Sequence, residues 1–148
     1  QVYKFDFNPF SKISRIYTKN EIILEFDVFS GDSYSNDFKF EDGYIFEIEN
    51  DKWVNKGFFN KNEIIYNQVT YQLKTNLISN VHIKKESDSK WIKVKTRNNQ
   101  ILIDYKNEQL PKIVEYLLVQ YNVRNINLNN LKDLRNKHTS NIRVENSL

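Results

Sequence analysis

The sequence predicts a mainly β domain of the α+β kind, a strongly bent antiparallel sheet or barrel closed by a C-terminal helix. Three observations predict it. Short segments alternate apolar and polar residues, the signature of half-buried strands. Turn-forming residues interrupt them about every 8–12 positions, the spacing of barrels and sandwiches. Near the C-terminus the apolar period changes from two to three and four, which is a helix with one oily face. Such a face must be buried on something, and the open end or one face of a bent sheet is the economical place.

Val2 to Phe7 alternates and Asn8-Pro9 breaks it, while Ser11 to Thr18 reads as strand or loop. Glu21 to Phe29 is the plainest strand, with Ile22, Leu24, Phe26 and Val28 on one face and Glu21, Glu25 and Asp27 on the other. Gly31-Asp32-Ser33 turns the chain, and Phe38 and Phe40 are expected inside. Gly43 to Glu49 repeats the pattern, with Tyr44, Phe46 and Ile48 expected inward, Glu47 and Glu49 outward, and Asn50-Asp51 ending it. A longer alternation sets Ile65, Asn67, Val69, Tyr71 and Leu73 against Gln68, Thr70, Gln72 and Lys74. Val81 and Ile83 alternate with His82 and Lys84. The best hairpin joins Trp91–Thr96 to Gln100–Tyr105 through Arg97-Asn98-Asn99, because Asn tolerates positive φ.

Leu110, Ile113, Val114, Leu117, Leu118 and Tyr121 form the helical stripe, over about 109–121, with Lys112, Glu115 and Gln120 turned away. Pro111 suits its first turn and Asn122 suits its C-cap. A weaker second helix is expected over about 128–137, capped by Asn127 or Asn129, and a frayed tail over 139–148. The 148 residues make one domain, 1–148, with roughly eight or nine strands between 2 and 105.

In this order of elements the chain resembles pleckstrin-homology-like barrels and, more distantly, lipocalin-like barrels. The Trp of the closing helix of pleckstrin-homology domains has no counterpart between Leu110 and Tyr121, and their basic first hairpin is absent. Phosphoinositide binding is therefore not carried over, since a fold does not transmit a function.

Composition excludes several chemistries. There is no cysteine, hence no disulfide, thiol nucleophile or thiolate site, and the two histidines, His82 and His138, cannot build a His-rich metal centre. No metal, cofactor or catalytic residue is assigned. No apolar run is long enough to cross a membrane. The absence of Met and Ala beside abundant Asn, Lys and Ile fits an AT-rich bacterial or protist genome. The start at Gln1 without a Met fits a mature exported protein as well as a cytoplasmic one. Charge is uneven: residues 1–70 carry eight Lys/Arg against twelve Asp/Glu, and residues 71–148 carry fourteen against seven. Such asymmetry marks an interaction face unless the two halves interleave in space.

Five constellations remain. Trp53, Phe58 and Phe59 supply candidate protein anchors, since two adjacent Phe cannot both point inward in a regular strand unless a bulge buries both. Trp91, Lys93, Lys95 and Arg97 share one strand face about 6.5–7 Å apart, a row that suits phosphates, or a solvated face that deters edge pairing. The pairs Glu25/Asp27 and Glu47/Glu49 have the spacing of glycoside-hydrolase carboxylates, and equally that of any polar outer face. Gly31 to Asp37 reads as a polar turn rather than a calcium loop, because Tyr34 and the glycine are misplaced for an EF-hand. His82 falls on the outer face, with Asp104 the nearest orienting partner. The leading expectation is a non-catalytic module that binds another protein, such as a small bacterial inhibitor or immunity-type protein. The alternatives are a phosphate or nucleic-acid binder using Trp91–Arg97, and a carboxylate-dependent hydrolase.

Overall fold

The computed structural model describes residues 2–6, 13–19, 21–75, 80–104 and 110–126. The strands are β1 (Val2–Asp6), β2 (Ile13–Thr18), β3 (Glu21–Asp27), β4 (Ser33–Tyr34), β5 (Phe38–Glu41), β6 (Tyr44–Glu49), β7 (Lys52–Phe59), β8 (Glu63–Tyr66), β9 (Val69–Thr75), β10 (Val81–Lys85), β11 (Lys93–Arg97) and β12 (Gln100–Asp104). A helix, α1, spans 112–126. Strands that are neighbours in sequence pair antiparallel from β1 to β10, as do β11 and β12, and β12 also pairs with β1. The sheet is thus a meander nearly closed into a barrel. The seam between β10 and β11 is spanned by a bridge between Ile83 and Ile92.

Local sequence sets the register. Asp42-Gly43, Asn50-Asp51 and Asn67-Gln68 each place two consecutive residues at positive φ between directly paired strands. Those are two-residue turns whose twist matches that of the flanking strands. Register shifts occur between β2 and β3 at Ile16/Tyr17 and between β6 and β7 at Ile45/Phe46. They bend the strands that carry the extra residue, which helps the sheet curl.

α1 lies inside the barrel. Chain direction alternates from strand to strand, so β12 delivers the chain to the end opposite the turns that follow β3 and β7. The last turns of α1 nevertheless meet those turns: Tyr121 donates to the Asn60 carbonyl at 2.6 Å, and Arg124 donates to the carbonyls of Val28 at 3.0 Å and Phe29 at 3.2 Å. The helix therefore enters at one mouth and runs to the other. Its polar contacts reach the wall on several sides. Glu115 accepts from the Tyr3 hydroxyl on β1 at 2.7 Å. Gln120 meets Ser33 and donates to the Gly31 carbonyl at 2.8 Å, and Asn122 bonds to Val81 on β10. At about 100° per residue Glu115 and Asn122 leave one side of the helix, Gln120 leaves about 140° round from Glu115 and Tyr121 about 240° round, so polar contacts radiate in three directions, as they do when the wall surrounds the helix. Barrels of about this strand number are wide enough for a central helix.

The sheet's inner face and α1 form one core. Tyr3, Phe5, Ile16, Leu24, Phe26, Phe40, Ile45, Ile64, Tyr71, Ile83, Val94, Ile101 and Ile103 pack round Val114, Leu117, Leu118, Val119 and Val123. Tyr116 stacks on Phe38, and Tyr121 meets Phe59 edge to face. Aromatic pairs of this kind add about 0.5–1.5 kcal/mol beyond area burial.

The predicted mainly β barrel with one C-terminal helix is what the chain forms, and several details differ. The helix fills the lumen instead of lying across an opening or one face, so Glu115 and Gln120 are buried and not turned to water. Asn122 is inside the helix, not its cap. On β6 the faces are exchanged: Ile45 is buried, while Tyr44 and Ile48 are exposed, because the Asp42-Gly43 turn pairs Ile45 with Phe40 and so places both on the inner face. The long alternation from Ile65 to Leu73 is two strands broken at Asn67-Gln68, and Val69 faces out. Ile22 also faces out, because the β2–β3 register shift inserts Ile23 between it and Leu24. The expected second helix over 128–137 and the tail over 139–148, with His138, lie outside the described residues.

Candidate functional site

α1 occupies the lumen that a hollow barrel would offer to a small apolar ligand. Its polar groups are occupied structurally. Burial raises the Tyr121 hydroxyl above its ordinary range, which keeps it a neutral donor. Gly31 lies so close beneath the Arg124 guanidinium that a Cβ there would stand 2.7 Å from it. What remains for function is the outer wall, which divides into three arcs.

The first arc, β6 to β8, is aromatic. Across these strands Tyr44 faces Phe58, Ile48 faces Trp53 and Phe58 faces Ile65. Phe46 lies 6.3 Å from Tyr44, ring to ring. Tyr44, Ile48, Trp53 and Phe58 are 36–48% exposed, a concentration of apolar surface on one wall. Lys39 on β5 lies over the Phe46 ring at 5.2 Å and the Trp53 ring at 4.8 Å and pairs with Glu41 at 3.6 Å. Of the three expected anchors, Trp53 and Phe58 belong to this arc. Phe59 does not: it packs between Phe40 and Tyr121 in the core. The register shift ends at Gly57, so Phe58 and Phe59 follow it in regular alternation, one facing out and the other in. Tyr44, Phe46 and Ile48 were expected inward. The signal that finds them is the Asp42-Gly43 turn, which puts them on the face of Lys39 and Glu41.

The second arc, β9 to β11, is basic. Lys93, Lys95 and Arg97 are exposed along β11, and Trp91 precedes them, half-buried. Lys74 from β9 lies over the Trp91 ring at 4.3 Å, and Lys84 from β10 at 5.5 Å. Lys84 is a near neighbour of the row in sequence, whereas Lys74 joins it only through the fold. His82 stands between Lys74 and Lys93, and burial, then these two charges, hold its imidazole below the ordinary range. Its Nδ1 accepts from the Val94 N–H at 3.3 Å. That bond makes His82 part of the seam rather than a general base.

The third arc, β2 to β5, carries Glu21, Glu25, Asp27 and Glu41. In a meander the two halves of the chain do not interleave, so the sequence asymmetry of charge survives as an acidic wall and a basic wall. The four candidate hydrolase carboxylates each have a structural partner. Glu25 pairs with Arg15 at 3.3 Å, and Asp27 accepts from the N–H groups of Phe29 at 2.8 Å and Ser30 at 3.2 Å to cap the turn. Glu47 accepts from the Tyr66 hydroxyl, whose pKa burial and this carboxylate both raise, and Glu49 pairs with Lys56. Among the described residues no cluster of three or more His, Asp or Glu could hold a metal ion, and no helix is long and apolar enough to cross a membrane.

The chain matches no family model, no curated protein and no solved structure.

Proposed function

We propose that this protein is a non-catalytic module that binds another protein through the outer wall of β6 to β8. The observation that supports it is the aromatic arc, in which Tyr44, Trp53 and Phe58 stand exposed beside Phe46, Ile48 and Ile65. Contiguous exposed apolar surface of this kind is a mark of interaction sites, and Trp and Tyr dominate binding energy where they occur. Lys39, held over two of the rings, gives the patch a polar rim. A photo-cross-linking residue at position 53, compared with one at position 21 on the acidic wall, tests it in a lysate of the source organism. A discrete adduct from position 53 that disappears with Phe58→Ser is expected. Equal adducts from both positions, or one that survives Phe58→Ser, would remove the reading.

A further inference from the structure

The basic wall is separate from the aromatic one and has its own chemistry. Lys93, Lys95 and Arg97 alternate along β11, so their charged ends form a row with steps of about 6.5–7 Å. Lys74 and Lys84 join its head, gathered from β9 and β10 by the Trp91 ring. Among the described residues the ion pairs are Arg15–Glu25, Lys39–Glu41 and Lys56–Glu49, and none includes any of these five cations. Asp104 stands opposite Lys93 across the β11–β12 pair, and Lys84 donates to the Asp88 carbonyl at 2.9 Å, which leaves the wall in positive excess.

We propose that the outer face of β9 to β11 binds a single-stranded polynucleotide, with Lys74, Lys84, Lys93, Lys95 and Arg97 meeting successive phosphates. Charge complementarity selects a polyanion. Curvature selects a flexible one, since a bilayer or a stiff duplex meets a convex wall only along a line, whereas a single strand follows it. The row also ends in a Trp, the residue best suited to contact a base face. This site is independent of the protein-binding wall, so either proposal can fail alone.

The test is fluorescence anisotropy with labelled dT20 and rU20 across a salt series. Each neutralised phosphate contributes about −0.7 to the slope of log K against log salt for a single strand, so five contacts give about −3.5. Affinity should then fall about 100-fold between 50 and 200 mM salt. Lys93→Gln/Lys95→Gln should bring the slope to about −2, and Arg97→Gln alone to about −2.8. These are exposed outer-face changes, and thermal melting checks that each variant is folded. Tryptophan emission should change on binding, and Trp91→Phe should abolish that change because Trp53 is on another wall. Several outcomes would overturn the proposal: no binding of either oligonucleotide at 50 mM salt, a slope unchanged in the double variant, or an emission change that survives Trp91→Phe. So would equal affinity for a labelled oligoglutamate or for anionic phosphatidylserine vesicles.

Discussion

Asn122 holds the place where the barrel is least complete, and replacing it tests the threaded architecture directly. In the β9–β10 pair the Glu86 N–H bonds the Thr70 carbonyl, so the alternate residues Lys84 and His82 also turn their backbone groups toward β9. The N–H and C=O of Val81 and Ile83 therefore point the other way, across the seam. Ile83 finds Ile92 there, with N–O distances of 2.7 and 3.3 Å. Val81 instead finds the Asn122 amide, which accepts from its N–H at 2.8 Å and donates to its C=O at 3.2 Å. Asn122 is fully buried. Asn122→Leu keeps the branched shape, with a somewhat larger volume, and removes both bonds. Leaving a buried polar group unsatisfied costs about 1–3 kcal/mol, so two cost about 2–6 kcal/mol, a large part of a typical stability of about 5–15 kcal/mol. For a domain of this size each kcal/mol lowers Tm by about 2–4 °C, so a loss of about 4 kcal/mol lowers it by about 8–16 °C. Urea denaturation followed by circular dichroism measures the free energy, and amide exchange at Val81 locates it. A change below about 0.5 kcal/mol, or unaltered exchange at Val81, would refute the claim that α1 closes the seam from within.

Two further outcomes follow from the same geometry. Gly57→Ala should destabilise severely, because a Cβ at this position would stand 1.8 Å from the Ile65 carbonyl oxygen, a backbone atom that cannot move without parting β7 from β8; a melting curve like that of the parent would contradict it. His82 has a folded pKa below its ordinary 6.5, for burial first and then Lys74 and Lys93. The unfolded chain therefore takes up the proton first, so the His82 contribution is intact above about pH 6.5 and is lost as pH falls toward the folded value. Urea midpoints from pH 7.5 to 5 should fall less steeply in His82→Gln than in the parent, and parallel profiles would exclude the effect.

Much of the fold was legible because periodicity and turn chemistry agree. The alternation of β3 and β10 to β12, the Asn98 turn and the stripe of α1 all appear in the structure. Periodicity misled where two faces of a strand were similarly apolar. On β6 the set Tyr44, Phe46 and Ile48 outweighs Ile45, Glu47 and Glu49, yet Ile45 is the residue in the core, and Tyr66 and Lys56 take the two carboxylates of its set. The position of α1 was not legible either. A stripe predicts one buried face, but Glu115 and Gln120 read as solvent-facing and Asn122 as a C-cap until their partners on β1, β4 and β10 are known. The Trp91 row was visible along one strand with Lys84 close by in sequence, whereas Lys74 reaches it only through the pairing of β9 with β10.

The threaded helix also sets an order of events during synthesis. Residues 112–126 leave the ribosome after all twelve strands, so the curled sheet has nothing to close upon until they arrive. Until then the aliphatic lining of the lumen is open to water, and long-range pairing of this kind is slow and exposed to aggregation. Two of the last strands to be made, β10 and β11, border the seam, so the side of the wall that Asn122 meets is also among the last to be completed.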